Sequence, residues 1–384
     1  MAYSVLMPRK IVYGAGALER AAVHISAMGT RALVVTDNMM VNLGNAGKLE
    51  EILASMGVGA SVYAGVNAEP TDVVVRGGAA QYIENGCDFM VALGGGSPID
   101  TMKAIALMVS SNRDIDSFLG EAYEGATCSM VAIPTTAGTG SEATQFTIIT
   151  DTERDIKMLL RGESLIPDLA VIDPQFTLTA PPHVTSATGI DALCHAVEAY
   201  TSRKAQPIAD TFALSATKRI FENLRTCYNE PGNIDARTQM AIASLEAGMA
   251  FNNSSVTVVH GMSRPIGALF HIPHGLSNAM LLWTCLAYIA DEARGRFASL
   301  ARYCEISSAK DDETASREFV QAIGELLRDL NIESLHAYGV DAEDYRAVIP
   351  KMAADALASG SPANTIKELD TDDIVALYER AYER

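Results

Sequence analysis

Apolar and polar residues follow two different patterns in the first half of the chain. Between Lys10 and about Pro174, short runs of β-branched and aliphatic residues alternate with segments of helical spacing, which is typical of a parallel sheet connected by helices. A turn-like DTERD between two apolar runs at residues 144–161 instead predicts a β-hairpin. The pattern predicts strands at residues 31–37, 59–66, 89–94, 130–134 and 169–173, and helices at residues 18–28, 47–56, 71–85 and 97–109.

The pattern changes after Pro181 and Pro182. From there to Arg384, nearly every segment has apolar residues at helical spacing, which predicts an all-α domain. We therefore expect an α/β domain at residues 1–178 and a helical domain at residues 179–384. The predicted helices of the second domain are residues 185–200, 207–228, 235–251, 258–269, 275–290, 294–305, 315–330, 342–358 and 371–382.

Length and composition agree with two domains in one soluble chain. The 384 residues are 48% hydrophobic, which is enough for two cores. A net charge of -18 repels phosphate backbones and anionic lipids, so we expect neither nucleic acids nor membrane surfaces as partners. The sequence shows no signal peptide and no segment with the roughly 18 apolar residues of a membrane span. Six cysteines without a C-x-x-C pair fit a reducing compartment, so we expect a cytoplasmic protein.

Two glycine-rich loops follow predicted strands of the first domain. In FMVALGGGSPID, the loop of Gly94, Gly95, Gly96 and Ser97 opens a helix, whose N–H groups and dipole attract an anion such as a phosphate. In MVAIPTTAGTGSEAT, residues 135–141 offer hydroxyl groups and bare backbone. Tight strand-to-helix turns would explain one such loop, but two at neighbouring strand ends favour a bound dinucleotide. The candidate side chains are those of Asp100, Thr135, Thr136, Thr139 and Ser141.

Asp37 bears on which dinucleotide is bound. It ends the first predicted strand, where a carboxylate can accept hydrogen bonds from the adenosine ribose and repel a 2′-phosphate. This position favours NAD(H) over NADP(H). The alternative is that Asp37, with Asn38, caps the next helix. The segment from Gly14 to Glu19 lacks the third glycine of a dinucleotide fingerprint and is interpreted as a turn before a helix.

A cluster of imidazoles in the second domain predicts a metal site. Asp191 and His195 are four residues apart and share one face of a predicted helix. His260 and His274 bracket a helix and a turn at residues 271–273, so both can reach the same point. One carboxylate and three imidazoles suit Fe²⁺ or Zn²⁺ better than Mg²⁺ or Ca²⁺. The alternative, ordinary side-chain hydrogen bonds, leaves several imidazoles in apolar helices at a cost in desolvation.

Taken together, these motifs resemble the iron-containing (group III) alcohol dehydrogenases, a superfamily that includes lactaldehyde reductases, propanediol dehydrogenases and butanol dehydrogenases. The resemblance covers nearly the full chain and is carried by GAGALE, VTD, GGGSPID, PTTAGTGSE, VIDP, ATGIDALCHAVEAY and HGMSRPIGALFHIPHG followed by SNAMLL. It implies a dinucleotide-binding domain at residues 1–178, a helical catalytic domain at residues 179–384 and a divalent metal in the cleft. It also implies a homodimer or a larger homo-oligomer.

The resemblance also implies roles for individual residues. Pyrophosphate binding falls to the loop from Gly94 to Ser97, and Asp37 lies near the adenosine ribose. Lys157, Leu178 and Thr179 are lesser candidates for cofactor contacts. The implied metal ligands are Asp191, His195, His260 and His274.

Two positions depart from the family pattern. Many members carry a histidine, proposed as a proton-relay group, four residues after the third ligand, and this chain has Arg264 there. An arginine stays protonated and cannot be a relay base, so His271, a ribose hydroxyl or water becomes the candidate for proton transfer. The guanidinium can instead bind an acidic tail on the substrate or pair with a structural carboxylate. Residues 359–364 lack the Asn-Pro-Arg of many relatives, so no role is carried over to them.

We therefore predict a metal-dependent, NAD(H)-linked alcohol dehydrogenase or aldehyde reductase for a small substrate, including one with an acidic tail. Metal polarisation of the aldehyde oxygen and hydride transfer from nicotinamide need no protein nucleophile. Fe²⁺ is the expected metal, with Zn²⁺ or another divalent ion as the alternative. Alternatives within the superfamily are a hydroxyacid–oxoacid transhydrogenase and a polyol dehydrogenase. From another class, a metal lyase similar to dehydroquinate synthase would regenerate its NAD within each turnover.

Overall fold

Six parallel strands form the central sheet of the first half in the computed structural model of the chain, which describes residues 2–383. Two further strands form a separate antiparallel hairpin in the same half. The strands are β1 (Lys10–Tyr13), β2 (Arg31–Thr36), β3 (Gly59–Tyr63), β4 (Phe89–Gly94), β5 (Met130–Pro134), β6 (Phe146–Asp151), β7 (Ile156–Arg161) and β8 (Leu169–Ile172).

Helices connect the strands of the sheet and make up most of the second half. Short 3₁₀ turns complete the chain at Ile115–Phe118, Ser141–Ala143, Glu163–Leu165, Pro174–Thr177 and Pro362–Asn364. The α-helices are α1 (Ala17–Ile25), α2 (Asn38–Asn42), α3 (Asn45–Ser55), α4 (Asp72–Glu84), α5 (Gly96–Ser111), α6 (Pro182–Thr201), α7 (Pro207–Asn229), α8 (Ile234–Ser254), α9 (Val258–Phe270), α10 (His274–Ile289), α11 (Arg294–Tyr303), α12 (Asp312–Asp329), α13 (Leu335–Tyr338), α14 (Ala342–Ala358) and α15 (Thr371–Tyr382).

The central sheet is covered by helices on both faces. Its strand order is β1-β8-β5-β4-β2-β3, and each pair of neighbours is parallel. One face packs against α1 and α3, through residues such as Leu18 and Leu49, and the other against α4 and α5, through Val75 and Ile105. Because β2 and β4 are buried from both sides, their sequences read as continuous apolar runs and do not alternate.

The parallel register brings the candidate cofactor segments to one edge of the sheet. β2 ends with Thr36 beside Leu93 of β4, and β4 ends with Gly94 beside Pro134 of β5. The segments that follow these three strands therefore start next to one another. The strand order also reverses here, because β3 lies on one side of β2 and β4 on the other. In open α/β sheets, ligands bind at the carboxyl end of such a reversal.

A buried lysine holds the loop that follows β5. The side chain of Lys103 in α5 is fully buried, and its ammonium group donates to the carbonyl oxygens of Ser141 (2.6 Å), Thr144 (2.9 Å) and Phe146 (2.9 Å). Burial lowers the pKa of Lys103 to about 8, although the carboxylates of Asp100 and Glu142 oppose this shift. The ammonium group thus satisfies carbonyl groups of an irregular buried segment and ties the start of β6 to α5.

Helices α6–α15 share one large hydrophobic core. α6 begins with Pro182 in its first turn, where the missing N–H costs nothing, and is buried almost throughout its second half. Contacts group the segment from Pro181 onward with Ala137–Thr139 and with the N-terminal segment as far as Val5. The other unit consists of Leu6–Thr136 and Gly140–Ala180. The assignment of residues 1–178 to the cofactor and residues 179–384 to the metal remains a prediction.

The predicted fold class is confirmed: an α/β half with a parallel sheet precedes an all-α half. The predicted hairpin is also present, as β6 and β7. The pattern missed β1, α2 and α13, because elements of four or five residues are too short to show a periodicity. Within residues 2–383, no helix combines the length and the apolar character needed to cross a membrane.

The role of Lys103 predicts a large loss of stability in Lys103→Met. Removing the ammonium group takes a buried donor from the carbonyl oxygens of Ser141, Thr144 and Phe146 and a positive charge from near Asp100 and Glu142, which costs about 3–5 kcal/mol. Lys48→Met is the matched control, because Lys48 is partly exposed and pairs with Glu19 at 3.0 Å, a contact worth about 1 kcal/mol or less. Thermal denaturation of both variants measures the difference. Equal shifts in Tm would contradict the role given to Lys103.

Candidate active site

Three buried helices carry the predicted metal ligands. Asp191 and His195 lie one turn apart on α6, His260 lies in the first turn of α9, and His274 begins α10. α9 and α10 are joined by a reversal at His271, whose φ of 53° places it in the left-handed region. This reversal allows two helices that are adjacent in sequence to present their first turns to α6.

Glycines directly after two of these histidines allow the helices to approach closely. A Cβ atom on Gly275, next to His274, would lie 2.9 Å from the carbonyl oxygen of Ala187 in α6. A Cβ atom on Gly261, next to His260, would lie 2.7 Å from Pro362. The His-Gly pairs of the sequence are therefore packing requirements as well as ligand positions. Residues 359–364, for which the sequence implied no role, contact α9 through Pro362.

The four side chains converge on one point. His260 Nε2 lies 3.6 Å and His274 Nε2 lies 3.9 Å from Asp191 Oδ1. The imidazole centroids of His195 and His260 are 4.4 Å apart, and those of His260 and His274 are 5.4 Å apart. Asp191, His195 and His260 each offer one ligand atom within 4.8 Å of the others. The side chain of His274 is 39% exposed, so the cluster is open on that side.

The surroundings of Asn278 show that this point suits a cation. The side-chain nitrogen of Asn278 lies 2.7 Å from Asp191 Oδ1, 3.1 Å from His260 Nε2 and 3.2 Å from His274 Nε2. One carboxylate oxygen and two imidazole nitrogens thus surround a single point. In the described part of the chain, His195 Nδ1 is buried without a hydrogen-bond partner. One carboxylate and three imidazoles around one point fit a divalent first-row metal ion.

A second buried carboxylate, Glu198, orients His260. Its Oε2 atom contacts His260 Nδ1, which directs Nε2 of the same ring toward Asp191. Its Oε1 atom accepts hydrogen bonds from Thr257 Oγ1 (2.6 Å), Thr257 N (3.1 Å) and Val259 N (2.7 Å). Such carboxylate–histidine pairs commonly set the tautomer of a metal-binding imidazole. Sequence reasoning missed Glu198 and Asn278, although Glu198 stands in the motif HAVEAY three residues after His195.

Burial and charge set the protonation of the cluster. Burial lowers the pKa of His195 to about 3, so this imidazole is neutral and able to bind a metal. Burial disfavours a charge on His260 as well, but the carboxylates of Glu198 and Asp191 outweigh it and raise the pKa of His260 to about 9. Burial opposes ionisation of Asp191, but the neighbouring imidazoles hold the pKa of this carboxyl well below its ordinary value. A bound cation would take the place of the proton on His260.

Arg264 and His271, the candidates for substrate binding and proton transfer, have different environments. Arg264 lies one turn after His260 on α9 and is largely buried, which lowers the pKa of its guanidinium. His271 is exposed at the end of α9. Its ring has no recorded contact with the imidazole cluster among residues 2–383. Proton transfer by His271 remains a prediction.

The first glycine-rich loop leaves the backbone N–H groups at the start of α5 without a side-chain cap. Gly95 is the N-cap residue of α5 and supplies no side chain to its free N–H groups. A Cβ atom on Gly94 would lie 2.4 Å from Pro98, and one on Gly95 would lie 3.3 Å from Thr136 Oγ1. Larger residues at these two positions would therefore fill the space at the N-terminus of α5. Free N–H groups at the start of a 16-residue helix fit a phosphate group.

The other candidate cofactor residues differ in their contacts. Asp100 accepts hydrogen bonds from Ser141 Oγ and from Ile148 N (3.0 Å), so both predicted side chains take part in holding the loop after β5. Asp37 caps α2, because its Oδ1 accepts a hydrogen bond from Met40 N (2.9 Å). The capping alternative is therefore observed, and ribose binding remains a prediction.

The remaining candidates lie at or near the surface of their units. Lys157 Nζ forms an ion pair with Glu69 at 2.7 Å. Leu178 is half-buried and Thr179 is exposed, directly after the 3₁₀ turn that follows β8. Thr139 belongs to the short loop segment that packs with the helical unit. Their cofactor contacts remain predictions.

Comparisons with known proteins cover both halves of the chain. The family model described as "Iron-containing alcohol dehydrogenase" matches residues 8–174, and "Fe-containing alcohol dehydrogenase family, C-terminal" matches residues 185–382. Lactaldehyde reductase of Escherichia coli (strain K12) is 34% identical over 389 residues, which cover 100% of both proteins. A solved 1,3-propanediol oxidoreductase has a TM-score of 0.96 at 32% identity, over 100% of both chains. Sulfoacetaldehyde reductase from Bifidobacterium kashiwanohense, solved in complex with NAD+, has a TM-score of 0.89 at 29% identity, over 100% of this chain and 99% of that chain.

The fold, the site and these similarities define one class of protein. The chain belongs to the iron-containing alcohol dehydrogenase family. It is an oxidoreductase of alcohols and aldehydes, as the sequence predicted, and its helical half contains a cluster of residues that could hold a metal ion.

The contact between Glu198 and His260 predicts weaker metal binding in Glu198→Gln. A glutamine cannot hold the imidazole through a charge-assisted hydrogen bond, so the affinity for Zn²⁺ is expected to fall about 10- to 100-fold. Glu246→Gln is the matched control, because Glu246 is a mostly buried carboxylate of the same unit that pairs with Arg219 and Ser215. Calorimetric titration of the metal-free proteins with Zn²⁺ measures the affinities. Equal losses in both variants would argue against orientation by Glu198.

Proposed function

We propose that the chain is a metal-dependent, NAD(H)-linked reductase of small aldehydes that also oxidises the corresponding alcohols. The observation that carries this proposal, in a chain of this family, is the grouping of Asp191, His195 and His260, whose ligand atoms lie within 4.8 Å of one another. His274 Nε2 lies 3.9 Å from Asp191 Oδ1 and completes the proposed set. The ligands are Asp191, His195, His260 and His274. Relatives act on neutral and on charged substrates, as the names lactaldehyde reductase and sulfoacetaldehyde reductase indicate.

Fe²⁺ is the proposed metal, with Zn²⁺ as the alternative. When bound, the metal supplies a Lewis acid for the carbonyl oxygen, and the nicotinamide supplies the hydride. The chain contributes position and electrostatics. Asp191 stays ionised because neighbouring imidazoles stabilise its charge, and Glu198 holds Nδ1 of His260 so that Nε2 faces the ligand point. His274, at the open side of the cluster, borders the space for substrate. The alkoxide product receives its proton from solvent, from the cofactor ribose or from His271.

The α/β half is proposed to bind NAD(H). The N–H groups at the start of α5, from Gly95 to Ser97, would hold the pyrophosphate. Asp37, at the end of β2, would accept hydrogen bonds from the adenosine ribose. Asp100 and Ser141 would act by fixing the loop that follows β5. Further contacts are proposed for Gly94, Thr135, Thr136, Thr139, Lys157, Leu178 and Thr179.

The wider setting follows from composition and family. We propose residues 1–178 as the cofactor domain and residues 179–384 as the catalytic domain. The six cysteines are unpaired in the structure, and this agrees with the cytoplasm as the proposed compartment. A homodimer or a larger homo-oligomer is the proposed assembly.

Removal of the metal tests the proposed function. Removal of the metal from the full-length protein with a chelator is expected to abolish aldehyde-dependent oxidation of NADH. Addition of Fe²⁺ or Zn²⁺ is expected to restore this activity. The kcat/KM of His260→Ala for the aldehyde is expected to fall more than about 100-fold. The loss of a metal ligand weakens metal binding more than the loss of a supporting hydrogen bond does. His336→Ala is the control, because His336 lies in the same unit and contacts Tyr382 instead. If the protein reloaded with metal does not oxidise NADH in the presence of aldehydes, it is not a dehydrogenase. The alternative of a metal lyase would then remain.

A substitution of Asp37 tests the preference for NAD(H). Asp37→Asn keeps an oxygen that can cap α2 but removes the charge that repels a 2′-phosphate. The ratio of kcat/KM for NADH to that for NADPH is expected to fall about 10-fold or more. Asp311→Asn is the control, because Asp311 caps α12 in the same way, through Thr314 N at 2.8 Å. An unchanged ratio in Asp37→Asn would show that Asp37 only caps the helix.

A further inference from the structure

Arg264 occupies a position from which it can reach the substrate. It follows His260 by four residues on α9, so both side chains project from the same face of the helix. Four residues correspond to about 6 Å along the helix axis. A group bound by Arg264 would thus lie about one helical turn from the point where the metal ligands meet.

The guanidinium of Arg264 is largely buried and has no protein partner in the part of the chain that the structure describes. Within residues 2–383, no hydrogen bond or ion pair to its five N–H groups is present. Other arginines of the same unit are paired: Arg219 with Glu246, and Arg296 with Asp210. Arg237, which is also buried, donates to Thr185 and to the carbonyl oxygen of Pro231. A largely buried cation without a protein partner is costly, and an acceptor from outside the chain would offset its charge.

The nearest carboxylate cannot fill this role. Glu198 is the charged group that acts on Arg264, but both of its oxygens are engaged with Thr257, Val259 and His260. Glu198 also lies beyond ion-pair distance, because no salt bridge joins the two side chains within residues 2–383. The N–H groups of the guanidinium are therefore available to donate hydrogen bonds to a bound ligand.

A count of charges points to an anion. A divalent metal ion in the cluster is balanced by the two carboxylates of Asp191 and Glu198, and metal-bound imidazoles are neutral. The positive charge of Arg264 then remains uncompensated. A guanidinium presents paired N–H groups that match the oxygens of a carboxylate, sulfonate or phosphonate.

On the basis of the proposed function, we propose that Arg264 binds an acidic group at the far end of the substrate. The enzyme then prefers short aldehydes that carry a carboxylate, sulfonate or phosphonate one or two carbons from the carbonyl group. A neutral substrate would leave the guanidinium unpaired, so the same residue selects against it.

The test compares matched aldehydes in the metal-loaded full-length enzyme with NADH. Sulfoacetaldehyde is paired with butanal, succinic semialdehyde with pentanal, and phosphonoacetaldehyde serves as the third acid. Arg264→Met is expected to lower the ratio of kcat/KM for acidic over neutral substrates about 10- to 100-fold, mainly through KM. Arg264→Lys, which keeps the charge, is expected to retain more of this ratio. Equal losses on both kinds of aldehyde would overturn the proposal.

Arg219→Met is the matched control, because Arg219 is a partly buried arginine of the same unit with a carboxylate partner. For Arg219→Met, the ratio of kcat/KM for acidic over neutral aldehydes is expected to stay constant, while the Tm is expected to fall. Arg264→Met is expected to keep or raise the Tm of the free protein, because an unpaired buried charge is removed. A large drop in Tm for Arg264→Met would indicate a structural arginine and overturn the proposal.

Binding of an unreactive anion separates this proposal from the proposed function. Ethanesulfonate is expected to bind the Zn²⁺- and NADH-loaded wild type in calorimetry, and Arg264→Met to lose at least about 10-fold in affinity. Unchanged binding in the variant, or loss of NADH affinity instead, would overturn the role of Arg264. Reduction of neutral aldehydes without any preference for acids would refute this proposal alone. Failure to reduce any aldehyde would refute the proposed function, and ethanesulfonate binding would still decide the role of Arg264.

Discussion

The burial of two carboxylates beside three imidazoles is the constraint on which the helical half depends. Taking Asp191 and Glu198 out of water is costly unless opposite charges and hydrogen bonds surround them. Glu198 meets this requirement within the protein, through Thr257, Val259 and His260. Asp191 meets it through the imidazoles and through a hydrogen bond from the amide nitrogen of Asn278. The close approach of α6, α9 and α10 brings these groups together, so the candidate metal site depends on the packing of the three helices.

The α/β half meets a different constraint, because a parallel sheet must place several loops at the same edge. The register of β2, β4 and β5 aligns the ends of the three strands, so a glycine-rich helix start and Asp37 come side by side. The loop after β5 is irregular and cannot satisfy its own carbonyl groups. Lys103 satisfies them from inside the core, and a charged residue thereby becomes part of the framework of the sheet.

Arg264 shows how a shared framework can acquire its own specificity. Membership of the family defines the common chemistry, which is the oxidation and reduction of alcohols and aldehydes. A single side chain, one turn beyond His260, changes the charge of the space next to that chemistry. A divalent ion would balance the two carboxylates of the cluster, so the positive charge of Arg264 would be matched by the proposed acidic substrate. Specificity in this chain is thus proposed to arise from a charge that the protein itself leaves uncompensated.

The sequence by itself determined the order of elements, the two halves and the residue types of the site, because these depend on local periodicity and on motifs. It also predicted Asp191, His195, His260 and His274 as ligands. The first two follow from their spacing on one helix, and the last two from the chain reversal between them. Only the tertiary structure decided which partners surround them. The support of His260 by Glu198, the contacts of Asn278 and the missing partner of Arg264 all depend on distances between helices far apart in sequence, which no local pattern encodes.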